Sequence, residues 1–178
     1  LCQKRFVEPL LTIQPHRLQG TDECSHPKLR ALAQILIASF EGDERPLRGI
    51  VFVQTRSSVR RVVNYIKTHP ELKNFVRPSA FCGHEEMSSR AQENVMKAFE
   101  HNQFNLLIST SVLQEGYDMP DIRLVIMLDG VTSGKVRIQC RGRAMRRKGG
   151  AFHVLYYSNS VEATGVWRSQ QQEHAAKE

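Results

Sequence analysis

Residues Gln139 to Arg146 read Gln-Cys-Arg-Gly-Arg-Ala-Met-Arg, which places three arginines within two helical turns. Lys135, Arg137, Arg147 and Lys148 surround them, and no acidic residue occurs between Asp129 and Glu162. Guanidinium groups crowded together without carboxylates repel one another unless an anion lies among them. Phosphate is the anion that rigid, bidentate donors match best, so this run points to phosphate chemistry.

Four other polar clusters follow apolar runs. Gln54, Thr55 and Arg56 come after Val53, and Cys82, Gly83 and His84 come after Phe81. Ser109, Thr110 and Ser111 lead to Gln114, Glu115, Gly116 and Asp118, and a further turn after Leu128 enters the arginine-rich run. Hydroxyls and exposed amides at a strand-to-helix junction suit phosphodiester oxygens. A Gly-x-Asp such as Gly116 to Asp118 can set a carboxylate on a ribose hydroxyl.

The elements that must hold these loops alternate along the chain. Pro27 suits the first turn of a helix with Ser25 as its cap, and apolar residues from Leu29 to Phe40 recur at three- and four-residue spacing. Gly49 to Val53 is a short β-branched run of the buried parallel kind. Val59, Val62, Val63 and Ile66 form a helical stripe, and Arg77 to Cys82 reads as a strand. Ser89 and Gln92 match a capping box opening a helix that turns Val95, Ala98 and Phe99 inward. Leu106–Ile108, Leu124–Leu128 and Phe152–Tyr157 read as further strands. This alternation predicts a three-layer α/β domain with a mostly parallel central sheet and flanking helices at both termini. In such a sheet, ligands gather beyond the carboxyl ends of the strands.

Composition sets outer bounds. The 178 residues suffice for one domain with an appended helix, and 40% hydrophobic content supports a proper core. The net charge of +7 favours a polyanionic partner such as nucleic acid. Cys2, Cys24, Cys82 and Cys140 lack the paired spacing of a zinc site. They read as reduced thiols of an intracellular, cytoplasmic protein, although spacing alone leaves a disulfide open. No apolar run approaches the roughly 20 residues that cross a bilayer. A first residue other than Met, in a start that is no signal peptide, suggests a fragment.

In order and spacing, these pieces resemble the second RecA-like domain of superfamily 2 helicases. Gly49-Ile-Val-Phe-Val-Gln-Thr-Arg56 is similar to helicase motif IV, Ser109 to Asp118 to motif V, and Gln139 to Arg146 to motif VI. A closer resemblance is to the duplex-RNA-activated branch of RIG-I-like receptors, Dicer and Dicer-related helicases. His26-Pro-Lys-Leu, Gln139 at the start of motif VI, and Phe81-Cys-Gly-His84 with Met87 and Gln92 carry it. The resemblance implies three parts: residues 1–25 as the tail of a preceding helical insertion or linker, 26–160 as the RecA-like domain, and 161–178 as the start of a pincer-like helical arm.

It also implies roles. Arg143 and Arg146 would be arginine fingers stabilising charge on the γ-phosphoryl of ATP, with Gln139 on the nucleotide side of the cleft. Gly116 and Asp118 would lie near the ribose. Gln54, Thr55, Arg56, Gly83, Thr110 and Ser111 would hold the RNA backbone, with Glu115 close by. The chain has no Gly-x-x-x-x-Gly-Lys-Ser/Thr loop and no Asp-Glu-x-His/Asp signature. ATP and Mg²⁺ would therefore be bound mainly by a separate N-terminal RecA-like domain, and this chain alone is expected to be inactive and monomeric. No metal ligands of its own are expected.

Plainer readings stand beside these. Arg147 and Lys148 suit a solvated helix end, Thr110 and Ser111 a helix cap, and Asp118 before Pro120 a turn. Glu115 could pair with a nearby arginine, and Trp167 reads as a packing anchor for a neighbouring domain. A non-catalytic nucleic-acid-binding or protein-docking module, or a DNA-directed superfamily 2 motor, would show much the same pattern, because tracking by hydroxyls and amides does not distinguish DNA from RNA.

Overall fold

A glycine opens the strand at the centre of the sheet, and its lack of a side chain lets the flanking strands close in. The computed structural model of the chain describes residues 12–13, 26–40, 47–83, 87–110, 121–129, 150–158 and 160–175. In chain order the elements are β1 (Thr12–Ile13), α1 (Pro27–Phe40), β2 (Gly49–Phe52), α2 (Arg56–Thr68), a 3-10 turn (Leu72–Asn74) and β3 (Pro78–Phe81). Then follow α3 (Ser89–Glu100), β4 (Leu106–Ser109), β5 (Leu124–Met127), β6 (Ala151–Val154), β7 (Tyr156–Tyr157) and α4 (Val161–Ala175).

Five strands form one sheet in the order β3-β4-β2-β5-β6, with every neighbouring pair parallel. The three inner strands, β4, β2 and β5, are buried at all four positions, whereas the edge strands β3 and β6 are only partly covered. Their β-branched and leucine-rich runs are what a strand covered on both faces requires. Alternate residues of these strands divide between two cores. Val51, Leu106, Ile108, Leu124 and Ile126 pack with Leu32 and Leu36 of α1 and Val59, Val62 and Ile66 of α2. Ile50, Phe52, Leu107, Val125 and Phe152 pack with Met96 and Phe99 of α3 and Val166 of α4. Among the described residues, two helices lie on each face, making the three layers that the alternation of elements predicts.

Several local expectations shift. The carbonyl of His26 accepts from Leu29 N–H at 2.8 Å, so the cap position of α1 falls at His26, with Pro27 opening the helix. No capping box forms at α3. Ser88, not Ser89, is the cap, accepting from Ala91 N–H at 3.3 Å. Gln92 lies one position too late for the reciprocal bond; its buried amide instead donates to the Cys82 carbonyl at 2.8 Å. The strand expected over Phe152–Tyr157 breaks at Leu155, and Tyr156–Tyr157 pairs in parallel with Thr12–Ile13. The apolar patch near the amino end thus supplies a small second sheet. Helix α4 returns to the domain: Val166 and Ser169 are buried, while Trp167 remains 61% exposed.

A Cβ on Gly49 would lie 2.9 Å from Leu106 Cδ1 and 3.3 Å from both Leu124 Cβ and its carbonyl oxygen. Leu106 is fully buried, so it has little room to yield. Overpacking costs about 1–3 kcal/mol, while the entropy gained on replacing glycine returns about 0.4–1 kcal/mol. Gly49→Ala is therefore predicted to destabilise the domain by about 1 kcal/mol net. Urea unfolding should show a lower midpoint at an unchanged slope; a midpoint equal to or above that of the wild type would contradict this packing.

Candidate functional site

Pairing in the main sheet is in register, so the carboxyl ends of the strands finish along one line. Phe52 of β2 is level with Ser109 of β4 and Met127 of β5, and Ser109 is level with Phe81 of β3. The ladder continues one step further: Val53 N–H donates to Ser109 O and Leu128 N–H to Phe52 O, both at 2.9 Å. Just past the strand ends, Gly83, Thr110, Gln54 and Asp129 emerge from β3, β4, β2 and β5, with Thr110 one residue nearer the ladder than the other three. Three strand spacings of about 4.8 Å make this row about 14 Å long.

Helix α2 starts inside the row. Thr55 has extended backbone (φ −124°, ψ 153°), and its hydroxyl accepts from Ser58 N–H at 3.2 Å, which defines it as the cap. Its oxygen also lies 3.0 Å from Ser57 Oγ and 2.8 Å from Ser58 Oγ. Gln54, Thr55, Arg56 and Ser57 are exposed, and the first turn of α2 carries no acidic residue. Hydroxyls and the positive end of the helix dipole thus lie together at an exposed helix start, an arrangement suited to an anion. Thr110 and Gly83 are half-buried beside it. Gly83 is held between two anchors, since its carbonyl accepts from Met87 N–H at 3.1 Å and the preceding Cys82 carbonyl takes the Gln92 amide.

The amino ends of the strands are built differently. There the Asn105 side chain accepts from Arg77 N–H at 2.7 Å and donates to Phe75 O at 2.8 Å. Arg77 Nη2 donates to Asn102 O at 3.0 Å and Arg48 Nη2 to Glu100 O at 2.8 Å. Arg48 and Arg77 at that end are committed to backbone carbonyls.

Five of the expected contact residues, Gln54, Thr55, Arg56, Gly83 and Thr110, therefore share one edge of the sheet. Ser111, Glu115, Gly116, Asp118, Gln139, Arg143 and Arg146 lie outside the described residues, as do Cys2, Cys24 and Cys140. Cys82 is a buried free thiol. Among the described residues, no group of three or more His, Cys, Asp or Glu could hold a metal ion, and no helix is long and apolar enough to cross a membrane.

Sequence reasoning missed an ionic cluster at the same edge. Lys28, only 4% exposed, places Nζ 2.7 Å from Glu162 Oε1, 3.9 Å from Asp129 Oδ1 and 5.1 Å from the centre of the Tyr157 ring. Asp129 Oδ2 accepts the Gln54 N–H at 2.7 Å, and Glu162 Oε2 accepts the Tyr157 N–H at 3.2 Å. Burial and the nearby Glu162 carboxylate raise the Tyr157 phenol above its usual pKa. Its oxygen lies 3.2 Å from His26 Nε2. A signal was present: Lys28 precedes the fully buried Leu32 by one turn, on the inward stripe of α1.

Comparison with known proteins agrees with the fold. Residues 27–148 match the model of the helicase conserved C-terminal domain. Dicer-like protein 2 of Neurospora crassa is 35% identical over 80% of this chain and 10% of its own length. The ATP-dependent DNA helicase fml1 of Schizosaccharomyces pombe is 31% identical over 78% of this chain and 17% of its own length. The chain thus spans only a small part of these relatives. The crystal structure of the Pyrococcus furiosus Hef helicase domain superposes with a TM-score of 0.66 at 29% identity, covering 82% of this chain and 28% of that one. The C-terminal domain of the DEAD-box protein Dbp5 shares the fold at 18% identity, with a TM-score of 0.63 over 83% of this chain and 78% of that one. With the ordered motifs, the RecA-like sheet and a family match covering most of its length, the chain belongs to the helicase conserved C-terminal domain family of superfamily 2.

Proposed function

We propose that this chain is the C-terminal RecA-like half of an ATP-dependent, duplex-RNA-activated helicase or translocase. The observation that carries the reading is the row at the carboxyl edge, where motif IV, the start of motif V and the Phe81-Cys-Gly83 turn converge on one anion-accepting surface. Gln54, Thr55, Arg56, Gly83, Thr110 and Ser111 would grip backbone phosphates, with Glu115 adjoining them.

ATP with Mg²⁺ would supply the phosphoryl chemistry, held mainly by an N-terminal RecA-like domain. The described residues of this chain offer hydroxyl and amide donors rather than a carboxylate cluster for a metal. The guanidiniums of motif VI fit a polyphosphate, since no carboxylate occurs between Asp129 and Glu162 to neutralise them. Arg143 and Arg146 would place their charge on the γ-phosphoryl when the domains close, with Gln139, Gly116 and Asp118 contacting the nucleotide. Closure would shift the motif IV and V loops along the bound strand. Residues 1–25 would then belong to a preceding insertion or linker, and 161–178 to the start of a helical arm.

Likeness to Dicer-like protein 2, together with His26-Pro-Lys-Leu and Gln139, supports RNA as the activating strand and a place in RNA silencing or antiviral sensing in the cytoplasm. A second reading, a DNA-directed motor, is favoured by the likeness to fml1.

Two outcomes are predicted. In the full-length protein, Arg143→Ala or Arg146→Ala should lower ATPase turnover by about 10³-fold or more while leaving nucleic-acid affinity within about threefold. Normal turnover in both variants would remove the finger assignment. Duplex RNA should stimulate the full-length ATPase more strongly than duplex DNA of the same length; stronger stimulation by DNA would establish the second reading instead.

A further inference from the structure

The Lys28 cluster joins four elements that are far apart in sequence. Glu162 lies in the first turn of α4, Lys28 in the first turn of α1 and Asp129 just beyond β5, while Gln54 immediately precedes the cap of α2. Glu162 is hydrogen-bonded to Lys28, Lys28 forms a looser ion pair with Asp129 at 3.9 Å, and Asp129 is hydrogen-bonded to the Gln54 amide. The lysine is unequally shared, at 2.7 Å from one carboxylate and 3.9 Å from the other. One buried cation between two anions has two arrangements: paired to Glu162, or drawn onto Asp129. A buried charge cannot remain unpaired, so removing Glu162 from reach compels the second.

We propose that Lys28 is a positioning residue that couples the placement of helix α4 to the nucleic-acid-binding turn at Gln54–Arg56. This rests on the functional reading above and adds its regulation. When α4 holds Glu162 in place, Lys28 is occupied, and Asp129 Oδ2 keeps the Gln54 amide and hence the Thr55 cap in position. When α4 is displaced, Lys28 closes on Asp129 and draws the carboxylate away from that amide, loosening the turn. Tyr157 supports the first arrangement from both sides, since its ring faces the ammonium group and its backbone N–H holds the second oxygen of Glu162. Whatever binds or pulls on the segment following α4 would thereby change the grip on the strand.

Glu162→Gln, nearly isosteric and outside the binding row, tests the relay in the full-length protein. Site-resolved hydrogen exchange of the Gln54 amide should quicken by about fivefold, the lower end of couplings between linked sites. The concentration of duplex RNA giving half-maximal ATPase stimulation should rise by a similar factor, with unstimulated turnover and melting temperature nearly unchanged. Lys28→Met, which removes the group that draws Asp129 away, should leave exchange at Gln54 near the wild-type rate, and the double variant should match Lys28→Met rather than Glu162→Gln, because Glu162 acts only through Lys28. Unchanged exchange at Gln54 in Glu162→Gln would overturn the relay, as would a double variant that exchanges as fast as Glu162→Gln. A wild-type protein stimulated by neither duplex would overturn the functional reading instead, while the exchange measurement would still judge the relay.

Discussion

A parallel sheet covered on both faces permits no loose backbone among its inner strands. β4, β2 and β5 are buried at every position, so each N–H and C=O must find its partner in the ladder, and the in-register pairing provides this. Parallel strands also require the chain to return over a face between them, which places α2 between β2 and β3 and α3 between β3 and β4. Both consequences lead to the same place. Because all strands point one way, all outgoing turns emerge at one edge, and a helix can begin there with its amides facing outward. The anion-accepting row is thus a product of sheet geometry before it is a product of particular side chains.

The two edges show how side chains then specialise the scaffold. At the amino edge, Asn105 and Arg77 close the turns onto one another and leave a structural seam. At the carboxyl edge, hydroxyls crowd around the α2 cap, and the Asp129 carboxylate beside them turns towards a backbone amide and a buried lysine. An acid that faced the row would repel a phosphodiester. Held this way, its charge is compensated by Lys28 while it fixes the turn that bears Thr55. Lys28 in turn requires Glu162, and so the last described helix contributes to the order of a loop that begins more than a hundred residues earlier in the chain.

Much of this was legible in the sequence, because local pattern and tertiary demand coincide. The runs Gly49–Val53, Leu106–Ile108 and Leu124–Leu128 are apolar throughout, as inner parallel strands must be, and polar residues at their carboxyl ends marked the candidate row. What misled was chemistry that local pattern does not settle. Ser89 and Gln92 have the spacing of a capping box, but the chain enters α3 one residue earlier and a buried Cys82 carbonyl recruits the glutamine. The expected strand ends at Val154, Leu155 still gives its N–H to Met127 O, and Tyr156–Tyr157 then pairs with a segment near the amino end. Lys28 was hidden because a lysine on an apolar helix face is ordinarily read as solvated, and its partners lie 101 and 134 positions away (129 − 28 and 162 − 28). No periodicity reports a contact of that range.

The central claim is that nucleic acid is gripped at the carboxyl edge of the sheet and nowhere near its amino edge. Hydrogen exchange on the full-length protein, with and without a saturating duplex RNA, tests it most directly. The account predicts slower exchange at Gln54–Ser58, Gly83 and Thr110, with Arg48, Asn105 and Arg123 unaffected. Protection at Arg48, Asn105 and Arg123, with none at the α2 cap, would contradict it.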